Sequence, residues 1–183
     1  MKKLFIALII LLLLTGCQSE EEVYVPEMTV IEKARDVDMS VYQDMVDYGH
    51  AFKEITADEM LDVIENGGSD IFYLGSDSCG VCQFLVRYMQ EAASSLGVTI
   101  YYVDVYSDED GFADAYDRAY EMLYDVLEEY EGEKAFQTPH VFVVKDGEII
   151  DSLVGALEGY DGTDATADIM IDRYTEMFKA LLD

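Results

Sequence analysis

Positive charge is scarce in this chain: 11 lysines and arginines face 39 aspartates and glutamates across 183 residues, a formal net charge of −28. A surface this acidic disfavours nucleic acid and is repelled by anionic lipid, so charge cannot hold the protein at a membrane. Histidine is scarcer still. Only His50 and His140 occur, and a closed zinc site built on a cysteine pair lacks its second ligand pair. There are two prolines, three cysteines and no tryptophan, and neither a Gly-rich phosphate loop nor a Gly-x-Ser-x-Gly motif appears. No internal repeat or low-complexity block interrupts the chain. What is present, an ordinary apolar fraction of 51%, suits one α/β domain with a real core and short extensions.

The amino terminus stands apart. Lys2 and Lys3 precede an unbroken apolar run from Leu4 to Leu14, too short to span a bilayer as a helix and right for a signal-peptide core. The run ends in Leu14-Thr15-Gly16-Cys17, followed by Gln18-Ser19. This resembles the bacterial lipobox, which implies cleavage before Cys17 and lipid on its thiol. Residues 1–16 are then a lipoprotein signal peptide, and losing Lys2 and Lys3 with it takes the charge to about −30. More than one acyl chain, at about 0.8 kcal/mol per buried methylene, gives stable anchoring on the extracytoplasmic face of the cell membrane. That compartment permits disulfides, and Cys79 and Cys82 are left with only each other to pair with.

Those two cysteines sit in the stretch the chain is organised around, Ile71 to Gln83, IFYLGSDSCGVCQ. A short apolar run ends in small polar residues. After the cysteines, Phe84, Leu85, Tyr88, Met89, Ala92 and Leu96 recur at three- and four-residue spacings. This pattern predicts a strand, a sharp turn, and a helix whose first turn carries a dithiol. Unpaired N–H groups and the positive end of the helix dipole stabilise a thiolate there, and the thiolate is the reactive form. Asp77 pulls the other way.

Around this stretch, Ser19 to Pro26 reads as a tether reaching about 15 Å. Residues 17–49 are expected to form the lipidated cysteine, the tether and an extension, with a short helix suggested by Val41, Met45 and Tyr48. Regular patterning occupies 50–183. A strand at Ala51 to Ile55 precedes Thr56-Ala57-Asp58-Glu59, which has capping-box spacing. The helix it opens stops at Asn66-Gly67-Gly68. Val98 to Val105 predicts the third strand. A long helix is expected from Phe112 to Tyr130, closed by Gly132. Val141 to Lys145 and Glu148 to Leu153 flank Asp146-Gly147, a strong two-residue hairpin signal. A final helix carries Ile169, Tyr174, Met177, Phe178 and Leu181. The expected order is β-α-β-α-β-α-β-β-α.

That order, with Cys-x-x-Cys opening the helix after the second strand, resembles the thioredoxin superfamily. Thr138-Pro139 ahead of the VFVV strand and Lys145-Asp146-Gly147-Glu148 with Gly155 support the likeness. The resemblance implies a thioredoxin-like α/β fold, a central mixed β-sheet flanked by helices. It also implies a cis Pro139 lying against the dithiol, with the Thr138 backbone pairing with bound peptide. By the same likeness Cys79 attacks substrate disulfides and Cys82 resolves the mixed disulfide. No organic cofactor is implied. Partners would be thiols or disulfides of exported proteins and peptides, a membrane redox partner, and the membrane itself through lipid on Cys17. Departures exist as well. The buried Asp that the family places six residues before the first Cys is Tyr73, and the usual Trp before that Cys is Ser78. A lipobox followed by a divergent domain of this kind is also similar to thioredoxin-like lipoproteins of Gram-positive bacteria, including bacteriocin transport accessory proteins.

Two other readings compete. A non-enzymatic binding module would keep the disulfide as a static staple, and the departures at Tyr73 and Ser78 favour it. A metal chaperone would use Cys79, Cys82 and His140, although an ordinary strand role for His140 is simpler. In Tyr106 to Asp117, Asp108, Asp110 and Gly111 partly match a calcium-loop spacing. The first and last ligand places are wrong for it, so the segment reads as a solvated helix start.

Overall fold

The computed structural model describes residues 28–107, 109 and 111–183. The expected signal peptide, Cys17, the expected tether through Pro26, and Asp108 and Asp110 lie outside the described residues.

Strand β1 (Phe52–Glu54) leads into helix α1 (Ala57–Glu65), and β2 (Asp70–Gly75) leads into α2 (Cys82–Leu96). Next come β3 (Ile100–Asp104), α3 (Tyr116–Leu123), the short strands β4 (Glu128–Tyr130) and β5 (Glu133–Ala135), then β6 (His140–Lys145), β7 (Glu148–Val154) and α4 (Ala167–Leu182). The main sheet has the order β1-β3-β2-β6-β7. Strands β1, β3 and β2 run parallel, while β6 is antiparallel to β2 and β7 to β6. This mixed five-stranded sheet with helices on both faces is a thioredoxin-like α/β fold.

The period-two alternation of strands divides the core. Ile71 and Tyr73 of β2 join Ile100, Tyr102, Val141 and Val143 under α2 and α4. Phe72 and Leu74 join Val103, Phe142 and Val144 under α1 and α3. All six residues of β2 are buried, as expected for a central strand covered on both faces. Phe72 and Phe142 face each other across β2 and β6 with ring centroids 5.5 Å apart. Truncating either ring to Ala costs about 3–5 kcal/mol.

Local chemistry sets the boundaries. At the start of α1 the Glu59 N–H donates to Thr56 Oγ1 at 3.2 Å, and the Thr56 N–H donates to the Glu59 carboxylate at 2.8 Å. The Asp146-Gly147 turn has φ of 52° and 78°, the left-handed pair that joins twisted strands with least splay. Gly147 also presses on the end of α1, its N–H donating to the Gly68 carbonyl at 2.8 Å. A Cβ at Gly147 would collide with the Ile64 carbonyl.

Three expectations are corrected. Among its described residues the amino-terminal segment forms no α-helix. It folds as a 3-10 turn, Met39–Val41, capped by Asp38, and Arg35 bridges to Glu54 at the edge of β1. The residues it buries are Met39 and Tyr42, whereas Val41 and Tyr48 are exposed. Asp44, with φ of 62°, breaks the stripe that suggested a helix. The helix expected from Phe112 to Tyr130 spans only Tyr116–Leu123, followed by a 3-10 turn and the β4–β5 hairpin. A helix end wants cations, but this stretch offers Asp125, Glu128, Glu129 and Glu131. Gly132 turns the hairpin where it was expected to close the helix. In α4, Ile169 is exposed, and Met170, Tyr174, Met177, Phe178 and Leu181 form the buried face.

Candidate active site

Strand β2 ends at Gly75, and residues 76–81 turn the chain into α2. The Ser78 N–H donates to Ser76 Oγ at 3.2 Å, folding the turn back on itself. The Gln83 side chain donates to the Asp77 carbonyl at 2.6 Å and ties the turn to the helix. Cys79 and Cys82 are joined in a disulfide with Cα atoms 5.2 Å apart. Only Cys82 lies within α2, and Cys79 stands just ahead of it. The Cys79 carbonyl accepts the Gln83 N–H at 3.2 Å, and its Sγ accepts the Cys82 N–H at 3.1 Å. Cys79 sulfur therefore takes the place that a capping oxygen fills at other helix starts. The same donor and the helix dipole hold negative charge on this sulfur when the bond is reduced.

The two sulfurs differ in access. Cys82 is fully buried and packs among the residues beneath α2, whereas Cys79 is partly exposed. A Cβ at Gly80 would meet no heavy atom within 4 Å, and Val81 is 47% exposed. Space above the dithiol is open, and reagents from solvent meet Cys79 first.

Thr138-Pro139 is a cis peptide, and its loop lies against the dithiol. The Thr138 carbonyl oxygen is 3.5 Å from Cys79 Sγ. In the reduced state that distance lets the Cys79 thiol donate to the carbonyl. Among the described residues, residues 136–138 form no backbone–backbone hydrogen bond, and the Thr138 carbonyl is directed at Cys79 Sγ.

Tyr73 occupies the place of the acid. It is fully buried, and its hydroxyl has no hydrogen-bond partner among the described residues. Burial and then the neighbouring Tyr42 hydroxyl raise its ionisation well above the ordinary tyrosine range. At physiological pH it stays neutral and takes no proton from Cys82. His140 is also fully buried, with Nε2 2.8 Å from Ser152 Oγ. Its register partner is Leu74, so it faces the α1/α3 side, whereas Cys82 packs on the α2/α4 side. Burial lowers its pKa to about 4. Among the described residues no group of three His, Cys, Asp or Glu side chains is arranged to hold a metal ion.

Sequence reasoning missed an aromatic wall. The β4–β5 hairpin carries Phe136 back against Phe112 and Tyr116, with ring centroids at 5.0 and 5.3 Å. Phe136 stands two residues before Thr138, and that adjacency was the available signal. Tyr42, brought in by the amino-terminal segment, was missed for want of any pattern around it.

Residues 1–18 match the model of the prokaryotic membrane lipoprotein lipid attachment site. The protein is thus a lipoprotein of thioredoxin-like fold, anchored by lipid at the outer face of the membrane, with a Cys-x-x-Cys pair closed as a disulfide. Among the described residues no helix is long and apolar enough to cross a membrane. Solved structures similar to the chain include thioredoxin O1 of Arabidopsis thaliana in its oxidized state, at 15% identity and a TM-score of 0.47, covering 73% of this chain and 99% of that one. Thioredoxin O2 of the same plant is 16% identical with a TM-score of 0.47, covering 73% and 96%. A thioredoxin of Aeropyrum pernix is 19% identical with a TM-score of 0.44, covering 69% and 84%. No curated protein matches the chain.

Proposed function

We propose that this lipoprotein is a thiol–disulfide oxidoreductase acting on disulfides or dithiols of exported proteins and peptides. The observation that carries the reading is the asymmetry of the dithiol, a partly exposed Cys79 capping a helix and a buried Cys82 behind it. In the reducing direction the Cys79 thiolate attacks a substrate disulfide. The substrate S–S bond breaks, one substrate thiolate leaves, and a mixed disulfide forms. The Cys82 thiolate then attacks Cys79 sulfur, releases the second substrate thiolate and closes the Cys79–Cys82 bond. Two electrons pass from protein to substrate, and a dithiol partner at the membrane restores the protein. Oxidation of a substrate dithiol is the reverse sequence. Thr138 and Pro139 would hold the substrate strand, the backbone of Thr138 pairing with it.

One observation favours a second reading, a binding module with a structural disulfide. Tyr73 leaves Cys82 without the buried carboxylate that would accept its proton. The narrower likeness to bacteriocin transport accessory proteins has only the order of lipobox and divergent domain behind it.

The reduction potential of Cys79–Cys82 decides between the readings. The purified lipoprotein would be equilibrated in glutathione buffers and trapped by alkylation. A reversible couple between about −270 and −120 mV supports the oxidoreductase. A pair that stays oxidised well below about −300 mV is a staple, and the oxidoreductase is then abandoned.

A further inference from the structure

Between the end of β3 and the cis-proline loop lies an open groove of about 370 Å³. Its walls are Tyr106, Phe112, Tyr116, Phe136, Gln137 and Thr138. Tyr106 is 74% exposed and Tyr116 42%, although both have rings large enough to merit burial. Tyr116 also lines a second hollow of about 420 Å³, whose other residues include Asp117, Tyr120, Glu121 and Glu133. The two hollows share Tyr116 as a common wall, and side by side they make up the two ends of one candidate trough. Its near end is aromatic and touches Thr138, whose carbonyl lies 3.5 Å from Cys79 Sγ. Its far end is acidic.

Among the described residues lining the far end the one cation is Lys134, and it is engaged. Lys134 Nζ donates to the Leu127 carbonyl at 2.5 Å and sits 5.8 Å from the Tyr124 ring centroid. Three carboxylates, those of Asp117, Glu121 and Glu133, remain around the stacked rings of Tyr116 and Tyr120, whose centroids are 6.1 Å apart. Carboxylates beside tyrosine faces suit a cationic side chain twice over, by ion pairing and by cation–π attraction. The near end suits a flat or branched apolar side chain. Along it runs the backbone of residues 136–138, which makes no backbone–backbone hydrogen bond among the described residues and is open to pairing with an extended peptide. These residues come from the segment between β3 and β6, which holds α3 and the β4–β5 hairpin.

We infer that this trough is a substrate subsite. It takes the segment flanking the reacting cysteine of an exported polypeptide when that segment bears an aromatic or large aliphatic residue followed by lysine or arginine. The inference rests on the proposed exchange reaction for its purpose but not for its test. The occupant is a polypeptide because the apolar hollow reaches Thr138 beside Cys79 and the acidic hollow adjoins it at Tyr116, so one chain can offer an apolar and a cationic side chain to both. With most of its surface negative, the protein repels acidic chains, and the trough adds selection among basic ones.

Peptide binding checks this without thiol chemistry. The probe is a short fluorescein-labelled peptide with serine in place of cysteine, flanked by phenylalanine and two lysines. A matched peptide carries serine and glutamates at those places. Anisotropy with the full lipoprotein in neutral detergent should show the cationic aromatic peptide binding about tenfold or more tighter than its acidic match. Half-molar salt should weaken that binding. Tyr116→Ala should lower the affinity several-fold, and the exposed charge reversals Glu121→Lys and Glu133→Lys should lower it without touching the core. Equal binding of the two peptides overturns the inference, as does indifference to both charge reversals or no binding of either peptide. A staple-like potential for Cys79–Cys82 would remove the oxidoreductase and leave this result standing, so the two failures are distinguishable.

Discussion

The rings of Tyr73 and Tyr102 lie stacked on adjacent parallel strands, with centroids 5.2 Å apart and planes inclined by 25°. Tyr42 reaches in from the amino-terminal segment and donates its hydroxyl to that of Tyr102 at 3.0 Å. Burial raises Tyr42 to about 12 and Tyr73 well above the ordinary tyrosine range. This cluster lies beneath the same helices as Cys82, and no member of it accepts a proton at physiological pH.

Tyr73→Phe should therefore be close to neutral. The hydroxyl removed has no hydrogen-bond partner among the described residues, and deleting an unsatisfied buried polar atom costs little or stabilises. Denaturant unfolding should give a midpoint at or slightly above wild type. The pH–rate profile of thiol exchange should keep its shape. A profile displaced by a pH unit would make Tyr73 a participant in proton transfer and sink this assignment.

Cys79 and Cys82 should separate cleanly on substitution. Cys79→Ser should abolish exchange with a neutral small disulfide such as hydroxyethyl disulfide. Cys82→Ser should still react once and then accumulate as a mixed disulfide visible by mass spectrometry. The bond closes a loop of three-residue separation, so reducing it should cost only about 2 kcal/mol by chain entropy. Reversed phenotypes, with trapped adduct on Cys79→Ser, would invert the roles given to the two sulfurs.

Two buried groups set opposed pH dependences. His140 is held at about 4 by burial against 6.5 for the free side chain. Between those values the unfolded chain binds a proton that the folded one refuses, so stability rises with pH. Burial raises Asp70 to about 8 against 3.8. From about 4 to 8 the folded state keeps a proton that the unfolded chain has released, so stability falls with pH. The two effects cancel up to about pH 6.5, and above it Asp70 acts alone. Unfolding free energy should decline between pH 6.5 and 8, by at most about 1.4 kcal/mol per unit. Asp70→Asn should flatten that decline, and His140→Gln should extend it downward toward pH 4. A wild-type curve flat from 6.5 to 8 would contradict the assignment to Asp70.

Much of this architecture was written in local patterns. The capping box at Thr56, the Asp146-Gly147 turn and the apolar run of β2 each name their own structure through short-range chemistry. Cys79 and Cys82 stood out for the same reason. Contacts between segments distant in sequence were not legible. Tyr42 reaches Tyr102 across 60 residues, and no spacing announces it. The sheet face occupied by His140 follows from register with Leu74, which depends on how β6 docks. The region from Phe112 to Ala135 failed for another reason. Its aromatic stripe satisfies a helical period as far as Leu123, and Glu131-Gly132 reads equally as a helix end or a hairpin turn.

That ambiguity has a direct test in the turn itself. Glu131 and Gly132 have φ of 54° and 91°, the conformation of a two-residue hairpin turn, in which Asn-Gly is the preferred pair. A glutamate in the left-handed region is strained, and asparagine tolerates it better. Glu131→Asn should therefore stabilise the protein by a few tenths to about 1 kcal/mol, raising Tm by about 1 to 4 °C for a chain of this size. Gly132→Ala should do the opposite, because a Cβ at this φ is strained whatever the space around it. Were residues 124–130 helical instead, asparagine at 131 would gain as a left-handed cap as well, and the charges before it would tell the two apart. Glu128 and Glu129 would then repel the negative end of the dipole, and neutralising them would stabilise the fold. In the hairpin both side chains are exposed on a two-stranded ribbon, and Glu129 lies opposite Lys134. Glu129→Gln should then be neutral or mildly destabilising. A stabilising Glu129→Gln would restore the long helix, and with it displace Glu133 from the acidic end of the trough.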